Sequence, residues 1–231
     1  MNITFVTGAN KGLGYETARR LVELGHTVLI GARDRERGRL AADRIGARFV
    51  QIDVTDDASV AAAAADIHEH EGRLDTLINN AGIAGPAAPT EELTADDAIT
   101  VFGTNVVGVV RVTAAFLPLL RASDRPAVIN VSSGLGSQAV THDSSRIESE
   151  VVAPLYTASK AAVTMLTTQY AKGLPGIRVN AVDPGYTATD LNGHRGGQTL
   201  AQGTDAIVAL ATETADAGTG RFLDRFGAVD W

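Results

Sequence analysis

The sequence predicts an α/β fold with a doubly wound, seven-stranded parallel sheet that is flanked by helices. Short runs of strand character alternate with longer runs of helical period along all 231 residues, and this alternation is typical of repeated βαβ units. The strand runs are almost continuously apolar, as strands buried on both faces must be. A glycine-rich turn follows the first strand and opens the first helix, which is typical of doubly wound sheets.

Each predicted element is supported by its own residues. Most strand runs are rich in Val, Ile, Leu and Phe, which favour strands. Most helical runs repeat apolar residues every third or fourth position. The predicted strands cover residues 3–7, 27–32, 48–53, 74–79, 127–131, 177–182 and 220–223, and the predicted helices cover 12–24, 35–45, 58–71, 96–121, 155–172 and 200–212. No linker, charge block or repeat divides the chain, so residues 1–231 are expected to form one domain.

Composition excludes several classes of protein. The chain has no cysteine, so disulfides, thiolate metal sites and cysteine nucleophiles are excluded. The net charge of −7 argues against electrostatic binding to nucleic acid or to an anionic membrane. The longest apolar stretch, residues 106–120, contains Arg111 and Pro118 and is better explained by a buried helix than by a membrane span. Apolar periodicity from Ile3 onward leaves no room for a signal peptide, so we expect a cytoplasmic protein.

Three loops are longer than compact connections need to be, namely residues 84–95, 134–153 and 185–199. Each follows a predicted strand, and the carboxyl ends of parallel strands form the edge of the sheet where ligands bind. We therefore expect these loops to surround the substrate and to determine its identity. His142 and His194 lie in two of the loops and could contact substrate.

The turn Thr7-Gly8-Ala9-Asn10-Lys11-Gly12-Leu13-Gly14 predicts a site for nucleotide phosphate. Its three glycines allow a tight turn, close approach of a pyrophosphate to the backbone, and close packing of the helix on the strand. The free N–H groups at the start of the helix would then face the anion. A glycine triplet alone is a weak signal, and its place between a strand and a helix is what favours a Rossmann fold. The expected cofactor contacts in this turn are Gly8, Asn10, Lys11, Gly12, Leu13 and Gly14.

The residues after the second strand predict which dinucleotide binds. Where NAD-binding sites carry an acidic residue for the ribose 2′-hydroxyl, this chain has alanine followed by Arg33. An arginine suits a 2′-phosphate, and Lys11 adds a second cation on the same side. Asp34 is the contrary signal, but one position further on it should point away. The expected cofactor is therefore NADP(H), with Asp53 and Val54 beside its adenine.

Tyr156 and Lys160 form the strongest candidate catalytic pair. They are four residues apart on a predicted helix and therefore share one face. An ammonium about 5 Å from the phenol, at an effective dielectric constant of about 20, would favour the phenolate by about 3 kcal/mol. That energy corresponds to about two pKa units and would bring Tyr156 toward the range useful for acid–base catalysis. The chain has only three lysines, so an incidental Tyr–Lys pair on a solvated helix is the weaker explanation.

Two further polar residues are expected beside this pair. Ser133 follows the fifth predicted strand, where its hydroxyl can donate to a substrate carbonyl and stabilise the developing oxyanion. Strand alternation places Ser132 on the opposite face, in a structural position. Asn105 lies inside a predicted buried helix, where an amide side chain is unfavourable and therefore suggests a role.

Taken together, these motifs resemble the short-chain dehydrogenase/reductase family. The glycines follow its Gly-x3-Gly-x-Gly pattern, and residues 79–82 match its Asn-Asn-Ala-Gly motif. Ser133 and a Tyr-x3-Lys pair follow in the family's order. Residues 183–189 match its Pro-Gly segment with a trailing threonine. The turn at 8–12 and the Ala-Arg-Asp at 32–34 look most like those of carbonyl reductases.

The resemblance implies NADPH-dependent reduction of a ketone or aldehyde, with alcohol oxidation as the reverse reaction. Hydride would pass from the nicotinamide to the carbonyl carbon while Tyr156 protonates the oxygen. Lys160 would bind the cofactor ribose, and Asn105 would hold a water that links Lys160 to solvent. The remaining implied cofactor contacts are Asn80, Ala81, Gly82, Tyr156, Pro184, Gly185, Thr187 and Thr189.

The chain departs from the family pattern in two places. Tyr156 lies 23 positions after Ser133, about twice the family's usual spacing, which indicates an insertion within residues 134–153. Few residues follow Thr189 before the next helix, so a large substrate lid is not expected and the site should be open. Because the insertion could cover the surface that pairs subunits, a monomer remains possible, but a homodimer or homotetramer is slightly favoured.

Two other functions are compatible with the same fold. A non-catalytic NADP(H)-sensing regulator could use it, but such proteins typically lose the Tyr–Lys pair that this chain keeps. A nucleotide-dependent methyltransferase would need neither that pair nor the Pro-Gly segment. We expect a small-molecule carbonyl or alcohol substrate, and no bound metal, nucleic acid or membrane.

Overall fold

The computed structural model of the chain describes residues 2–231. Its strands form one sheet in the order β3-β2-β1-β4-β5-β6-β7-β8. All neighbouring pairs from β3 to β7 are parallel, which confirms the predicted doubly wound class. The strands are β1 (Ile3–Thr7), β2 (Thr27–Ala32), β3 (Arg48–Gln51), β4 (Thr76–Asn79), β5 (Ala127–Val131), β6 (Arg178–Val182), β7 (Phe222–Asp224) and β8 (Gly227–Ala228).

The eighth strand is a difference from the predicted seven-stranded sheet. Gly227–Ala228 pairs antiparallel with the end of β7. The turn between the two strands is closed by Asp224, whose Oδ1 accepts hydrogen bonds from the N–H groups of Phe226 and Gly227 at 2.7 and 2.9 Å. A two-residue strand of glycine and alanine has no apolar pattern or strand propensity that the sequence could have signalled.

The six predicted helical regions are helical, with two interruptions, and a further short helix, Gln138–His142, lies inside the segment that was predicted to be a loop. The long predicted helix 96–121 contains a π-helical turn at Gly103–Val107, and the predicted helix 200–212 is divided at Thr204. The Thr204 hydroxyl donates back to the Leu200 carbonyl at 3.1 Å. The helices are α1 (Gly12–Glu23), α2 (Arg35–Ile45), α3 (Asp57–Glu71), α4 (Ala95–Phe102), α5 (Gly108–Arg121), α6 (Gln138–His142), α7 (Pro154–Gly173), α8 (Leu200–Gly203) and α9 (Asp205–Thr212).

Both faces of the sheet are covered by helices, so each strand is buried on two sides. Phe5 of β1 belongs to the core cluster on the face of α3 and α5, where its ring stacks on Phe116 with centroids 5.1 Å apart. Val6, the next residue, belongs to the cluster on the face of α1, α2 and α9. This alternation explains the continuous apolar runs in the sequence.

The segment Ala95–Arg121 is long and apolar enough to cross a membrane by length and composition alone. A core helix of a soluble protein passes the same test, and this segment packs its inner side chains against the sheet. Val112, Phe116 and Leu120 are each at most 1% exposed. The inner side of this helix is therefore buried, whereas Val107 and Val110 on its outer side are exposed.

The predicted ligand-binding edge lies at the carboxyl ends of the strands. The strand order reverses between β1 and β4, and the crevice at such a switch point is where doubly wound sheets bind ligands. The inserted segment 134–153 forms a 3-10 turn at Gly134–Gly136, then α6, then a 3-10 turn at Ile147–Glu150. It leads directly into α7, which carries Tyr156 and Lys160.

Candidate active site

Hydrogen bonds of Thr7 join the glycine-rich loop to the turn after β4. The Thr7 hydroxyl accepts hydrogen bonds from the N–H groups of Asn80 and Ala81 at 3.0 and 3.1 Å. The Asn80 side-chain amide donates in return to the carbonyls of Thr7 and Gly8 at 2.8 and 3.2 Å. Two sequence motifs that are about seventy residues apart thus form one rigid wall of the crevice.

Two of the three glycines in this loop allow close packing against the turn after β4, and the third borders open space. Gly8 has φ +65°, and a Cβ there would lie 2.9 Å from the Ala81 Cα. A Cβ on Gly14 would lie 2.5 Å from the Asn80 amide nitrogen. Gly12 has φ +59° with no atom within 4 Å of a Cβ position, so open space lies at the start of α1. Because no side chain caps that helix start, its N–H groups fit an anion such as the pyrophosphate of a dinucleotide.

The charged residues after β2 are arranged for recognition of a second anion. Arg33 is exposed at the end of β2, and among residues 2–231 no hydrogen bond from its guanidinium is found. Asp34 instead caps α2, and its carboxylate accepts a hydrogen bond from the Arg37 N–H at 2.9 Å. A carboxylate committed to a helix cap is poorly placed to bind a ribose hydroxyl.

Lys11 has a partner that was not expected from the sequence. Its Nζ forms an ion pair with Asp190 at 2.6 Å, and the His194 Nε2 lies 2.7 Å from the other oxygen of the same carboxylate. The pair joins the glycine-rich loop to the segment after β6. All three side chains are more than half exposed, so the pairing contributes little stability and Lys11 can exchange its partner.

Asp53 and Val54 follow β3, which ends at Gln51, and lie beside the same crevice. The Asp53 carboxylate accepts hydrogen bonds from the Thr55 N–H and hydroxyl at 2.9 and 2.6 Å, and these bonds lower the pKa of Asp53. The carbonyl of Val54 accepts a hydrogen bond from Arg111 at 2.7 Å. Contact of these residues with adenine stays a prediction.

Lys160 is the centre of the catalytic cluster. Its side chain is buried, and its Nζ donates a hydrogen bond to the carbonyl of Val131 at 2.8 Å. The Nζ lies 5.6 Å from the centroid of the Tyr156 ring one turn earlier on α7. A Cβ on Gly82 would lie 3.6 Å from the same Nζ. The Tyr-x3-Lys pair therefore meets both the fifth strand and the Asn-Asn-Ala-Gly motif.

The pKa shifts of Tyr156 and Lys160 differ from those expected from the sequence. Burial lowers the pKa of Lys160 to about 8. Burial also raises the pKa of Tyr156 to about 12; the hydrogen bond with Ser133 acts against this rise, and the negative charge of Asp183 adds to it. The expected lowering of the Tyr156 pKa by Lys160 is therefore wrong. The sequence estimate considered only the attraction between the two groups, whereas removal of both from water dominates.

Ser132 and Ser133 end β5 in different environments. The Ser132 hydroxyl is buried and donates to the Lys160 carbonyl at 3.0 Å. Ser133 is half-buried; its oxygen accepts a hydrogen bond from the Leu135 N–H at 3.2 Å, and its hydroxyl lies close enough to the Tyr156 phenol to lower the pKa of that group. Only Ser133 is therefore placed to reach a molecule that also contacts Tyr156.

Asn105 lies in the π-helical turn and braces the site. Its Oδ1 accepts a hydrogen bond from the Ile83 N–H at 2.8 Å, and its Nδ2 donates to the Ile83 carbonyl at 2.9 Å. The same nitrogen donates to the Ser159 hydroxyl at 2.9 Å. These bonds connect the loop after β4 to α7 and explain why a helix interior holds an amide. The implied water relay through Asn105 stays a prediction.

The Pro-Gly segment forms an ordered turn at the end of β6. Gly185 has φ +67°, and a Cβ there would lie 2.4 Å from the Gln198 Nε2. The buried Thr187 donates its hydroxyl to the Pro184 carbonyl at 2.8 Å. Thr189 begins a 3-10 turn and is bonded through its N–H to the Asn192 side chain at 3.2 Å. The segment is short, as expected; backbone hydrogen bonds join Tyr186 and Ala188 to residue 198, and Asp190 pairs with Lys11.

Two site residues were missed at the sequence level, Asp183 and Asp190. Asp183 is buried at the end of β6; it begins the segment that matches the Pro-Gly motif, but the sequence gave it no role of its own there. Asp190 is exposed and acquires a role only because folding brings Lys11 and His194 to it. His142, by contrast, is exposed, and its Nδ1 is hydrogen-bonded to the Gln138 carbonyl on its own helix.

Comparison with known proteins agrees with this geometry. A sequence model described as short chain dehydrogenase matches residues 2–199. The Short-chain dehydrogenase anuI of Penicillium roqueforti is 37% identical over 225 residues, which cover 91% of this chain and 88% of that protein. The chain therefore belongs to the short-chain dehydrogenase/reductase family, whose members bind a nicotinamide cofactor.

Two solved structures are similar over nearly the whole chain. The NADPH-bound carbonyl reductase from chicken fatty liver superposes with a TM-score of 0.87 and 30% identity, covering 100% of both chains. The 3-ketoacyl-(acyl-carrier-protein) reductase from Brucella melitensis, complexed with NADH, gives a TM-score of 0.85 and 26% identity, covering 96% of both chains. The chain is thus an oxidoreductase of a family that includes reductases of carbonyl substrates.

Proposed function

We propose that this protein is an NADPH-dependent reductase of a ketone or aldehyde, with Tyr156 as the acid and base. The observation that supports this most is the single cluster formed by Ser133, Tyr156 and the buried Lys160 at the ligand-binding edge of the sheet. A regulator that only senses the cofactor would have no need for a tyrosine, a serine and a lysine in contact. The proposed role of the bound nicotinamide is to supply the hydride.

The side chains have separate tasks in this proposal. The Ser133 hydroxyl donates to the substrate carbonyl oxygen and stabilises the negative charge that develops there. Tyr156 is a neutral phenol at neutral pH, because its pKa is raised to about 12, so it holds the proton that the oxygen will receive. Lys160, anchored to the Val131 carbonyl, donates to the ribose hydroxyls and attracts the phenolate that remains. Asn105 keeps α7 in register with the loop after β4.

The proposed choice of NADP(H) over NAD(H) rests on the residues after β2. Arg33 is an exposed cation at the position expected to meet a 2′-phosphate, and the nearest acid, Asp34, is committed to capping α2. Lys11 can add a second positive charge once it leaves Asp190. Similarity to known structures does not distinguish NADP(H) from NAD(H) as the cofactor, since one similar structure contains NADPH and another contains NADH. The cytoplasmic location stays a prediction.

The proposed function is tested by following NADPH oxidation against a panel of ketones, aldehydes and quinones. We expect at least one carbonyl compound to oxidise NADPH, with NADH a poorer donor. The matched measurement is binding of NADPH by fluorescence without substrate. Tight NADPH binding without turnover on any carbonyl would contradict the proposed reductase and favour the sensing regulator.

We also expect the protein to associate into a homodimer or homotetramer. Three apolar side chains are exposed on neighbouring helices: Val107 at the end of the π turn, Val110 in the first turn of α5, and Met165 on α7. The inserted segment packs beside the first turns of α7, where it leaves an open groove of about 570 Å³, and does not cover Met165. An exposed apolar surface of this kind is typical of an interface.

Light scattering at micromolar concentration measures the association directly. The expected mass is that of two or four chains, and Met165→Asp should shift it toward one chain because a charge would be buried in the contact. The control Gln169→Asp places the same charge one turn further along α7. A wild-type mass of one chain would show that these helix faces are not an interface.

A further inference from the structure

The acidic partner of Lys11 belongs to a loop that is fixed at its base. We call residues 186–198 the strap. Backbone hydrogen bonds of 2.9 and 3.1 Å join Gln198 to Ala188 and Tyr186, so the two ends of the strap are held together. The strap leads into α8, where a carbonyl accepts a hydrogen bond from the Arg20 guanidinium of α1 at 2.7 Å. The base of the strap is therefore tied both to itself and to α1.

The tip of the strap orients the carboxylate of Asp190. His194 has φ +61°, which is uncommon for a residue with a side chain and needs contacts to hold it. Its N–H donates to the Thr189 carbonyl at 2.8 Å, and its Nε2 lies 2.7 Å from Asp190 Oδ1. One carboxylate oxygen is thus fixed by His194, and the other, Oδ2, is the oxygen that pairs with Lys11 at 2.6 Å.

The pair of Lys11 and Asp190 crosses the crevice at the sheet edge. Lys11 follows β1, the strap follows β6, and β4 and β5 lie between these strands in the sheet. At about 4.8 Å for each strand spacing, the ends of β1 and β6 are about 14 Å apart, and the ion pair closes this separation. The hydrogen bond with Lys11 is the largest cause that lowers the pKa of Asp190, so the carboxylate is ionised at neutral pH.

The residue expected to meet the 2′-phosphate lies on the opposite side of Lys11. Arg33 follows β2, which is the immediate neighbour of β1 in the sheet. The Ala9 N–H donates to the Gly31 carbonyl of β2 at 3.0 Å, which holds the glycine-rich loop against that strand. Lys11 has a single point charge on a flexible stem. It must therefore leave Asp190 in order to approach an anion beside Arg33.

We propose that Asp190 is a positioning residue for cofactor selectivity: it holds Lys11 away from the 2′-phosphate and so weakens the preference for NADP(H) over NAD(H). The inference rests on the proposed function, in which Lys11 and Arg33 meet that phosphate. The side chains of Lys11 and Asp190 are 60% and 52% exposed, so their pairing is weak and a phosphate with up to two negative charges can displace it. NADH lacks this phosphate and leaves the pair intact. Asp190 therefore opposes the binding of NADPH but not that of NADH.

The test measures the Kd of NADPH and of NADH by cofactor fluorescence, without substrate, in the wild type and in Asp190→Asn. We expect the Kd of NADPH to fall about twofold to fivefold, as the loss of a competing exposed ion pair implies, and the Kd of NADH to stay unchanged. Asp190→Ala, which removes the carboxyl group altogether, should give the same pattern. Asp43→Asn is the matched control, because it changes the net charge equally at an exposed position on α2 and should affect neither cofactor.

A double variant tests whether Asp190 acts through Lys11. Lys11→Met should raise the Kd of NADPH, and in that background Asp190→Asn should have no further effect on either cofactor. A decrease in the Kd of NADPH of the same size with and without Lys11 would overturn the proposal, since Asp190 would then act on the cofactor directly. An unchanged Kd of NADPH in both Asp190 variants, or an equal decrease for NADH, would also overturn it.

Fragments of the cofactor separate this inference from the proposed function. Adenosine 2′,5′-bisphosphate carries the 2′-phosphate without the nicotinamide, and its Kd, measured by calorimetry, should fall in Asp190→Asn as that of NADPH does. Adenosine 5′-monophosphate should bind equally to both proteins. This pattern without turnover on any carbonyl compound would contradict the proposed reductase alone. Turnover with an unchanged selectivity between NADPH and NADH in Asp190→Asn would overturn the inference alone, and a wild type that binds neither NADPH nor the bisphosphate would overturn both.

Discussion

Replacement of Tyr156 by phenylalanine should abolish turnover while leaving NADPH binding nearly intact. The change removes one hydroxyl, and the ring remains beside Lys160, whose anchor on the Val131 carbonyl does not depend on Tyr156. General acid catalysis by a positioned side chain contributes about 10² to 10⁴-fold to rate, so the loss in kcat should be at least about a hundredfold. The measurements are steady-state NADPH oxidation and NADPH binding by fluorescence.

The control for this experiment is Tyr170→Phe, which removes the hydroxyl of a tyrosine on the same helix, α7, about four turns away from Tyr156. Lys160→Ala provides the contrasting case, since it should damage binding and turnover together by removing the ribose donor and the cation beside Tyr156. Retention of more than a small fraction of the wild-type rate in Tyr156→Phe would show that another group donates the proton.

Replacement of Arg33 by alanine should raise the KM for NADPH and leave the KM for NADH little changed. The guanidinium is exposed and belongs to no hydrogen bond found within residues 2–231, so its removal does not disturb the fold. Loss of a charge-assisted bond to a phosphate costs about 1.5–3 kcal/mol, which corresponds to a change of about ten- to a hundredfold in the constant. Steady-state kinetics with both cofactors measure the selectivity directly.

Arg39→Ala is the matched control, because Arg39 is another exposed arginine on α2. Its loss changes the net charge equally and should affect neither cofactor. Equal increases of the KM for NADPH and NADH in Arg33→Ala would show that Arg33 does not recognise the 2′-phosphate. If Arg39→Ala raised the KM for NADPH by a similar amount, the cofactor would be attracted by the general electrostatic potential of the protein and not by a specific contact with Arg33.

The fold was predictable because its signals are local and repeated. The alternation of apolar strand runs with helical runs predicts parallel βαβ units, and the strands up to β7 follow it. The features that were not predicted depend on single hydrogen bonds or on few residues. The π-helical turn around Asn105 could not be predicted because the helical periodicity continues on both sides of it. The strand β8 has only two residues and depends on the turn that Asp224 closes.

The candidate site was predictable as a set of residues but not as an electrostatic environment. The motifs around Gly8, Asn80 and Ser133 meet because each ends or follows a strand at one edge of the sheet. Lys160 reaches the same edge from α7, which packs on β5 and β6. The acidity of Tyr156 was predicted in the wrong direction, since the extent of burial cannot be obtained from a four-residue spacing. Lys11 was assigned to the cofactor alone, and its bond to Asp190 crosses 179 residues of sequence.

The sequence by itself therefore determined the family, the doubly wound sheet and the identity of the residues that gather at its edge. These follow from periodicity, from glycine positions and from side-chain chemistry, which are properties of short segments. Tertiary structure alone decided how far each ionisable group is removed from water and which charges face it. Tyr156 and Lys160 illustrate the difference, because their burial, which raises the pKa of Tyr156 to about 12 and lowers that of Lys160 to about 8, arises only when α7 packs against the sheet. Electrostatic interactions depend on distance and on solvent exclusion rather than on sequence order.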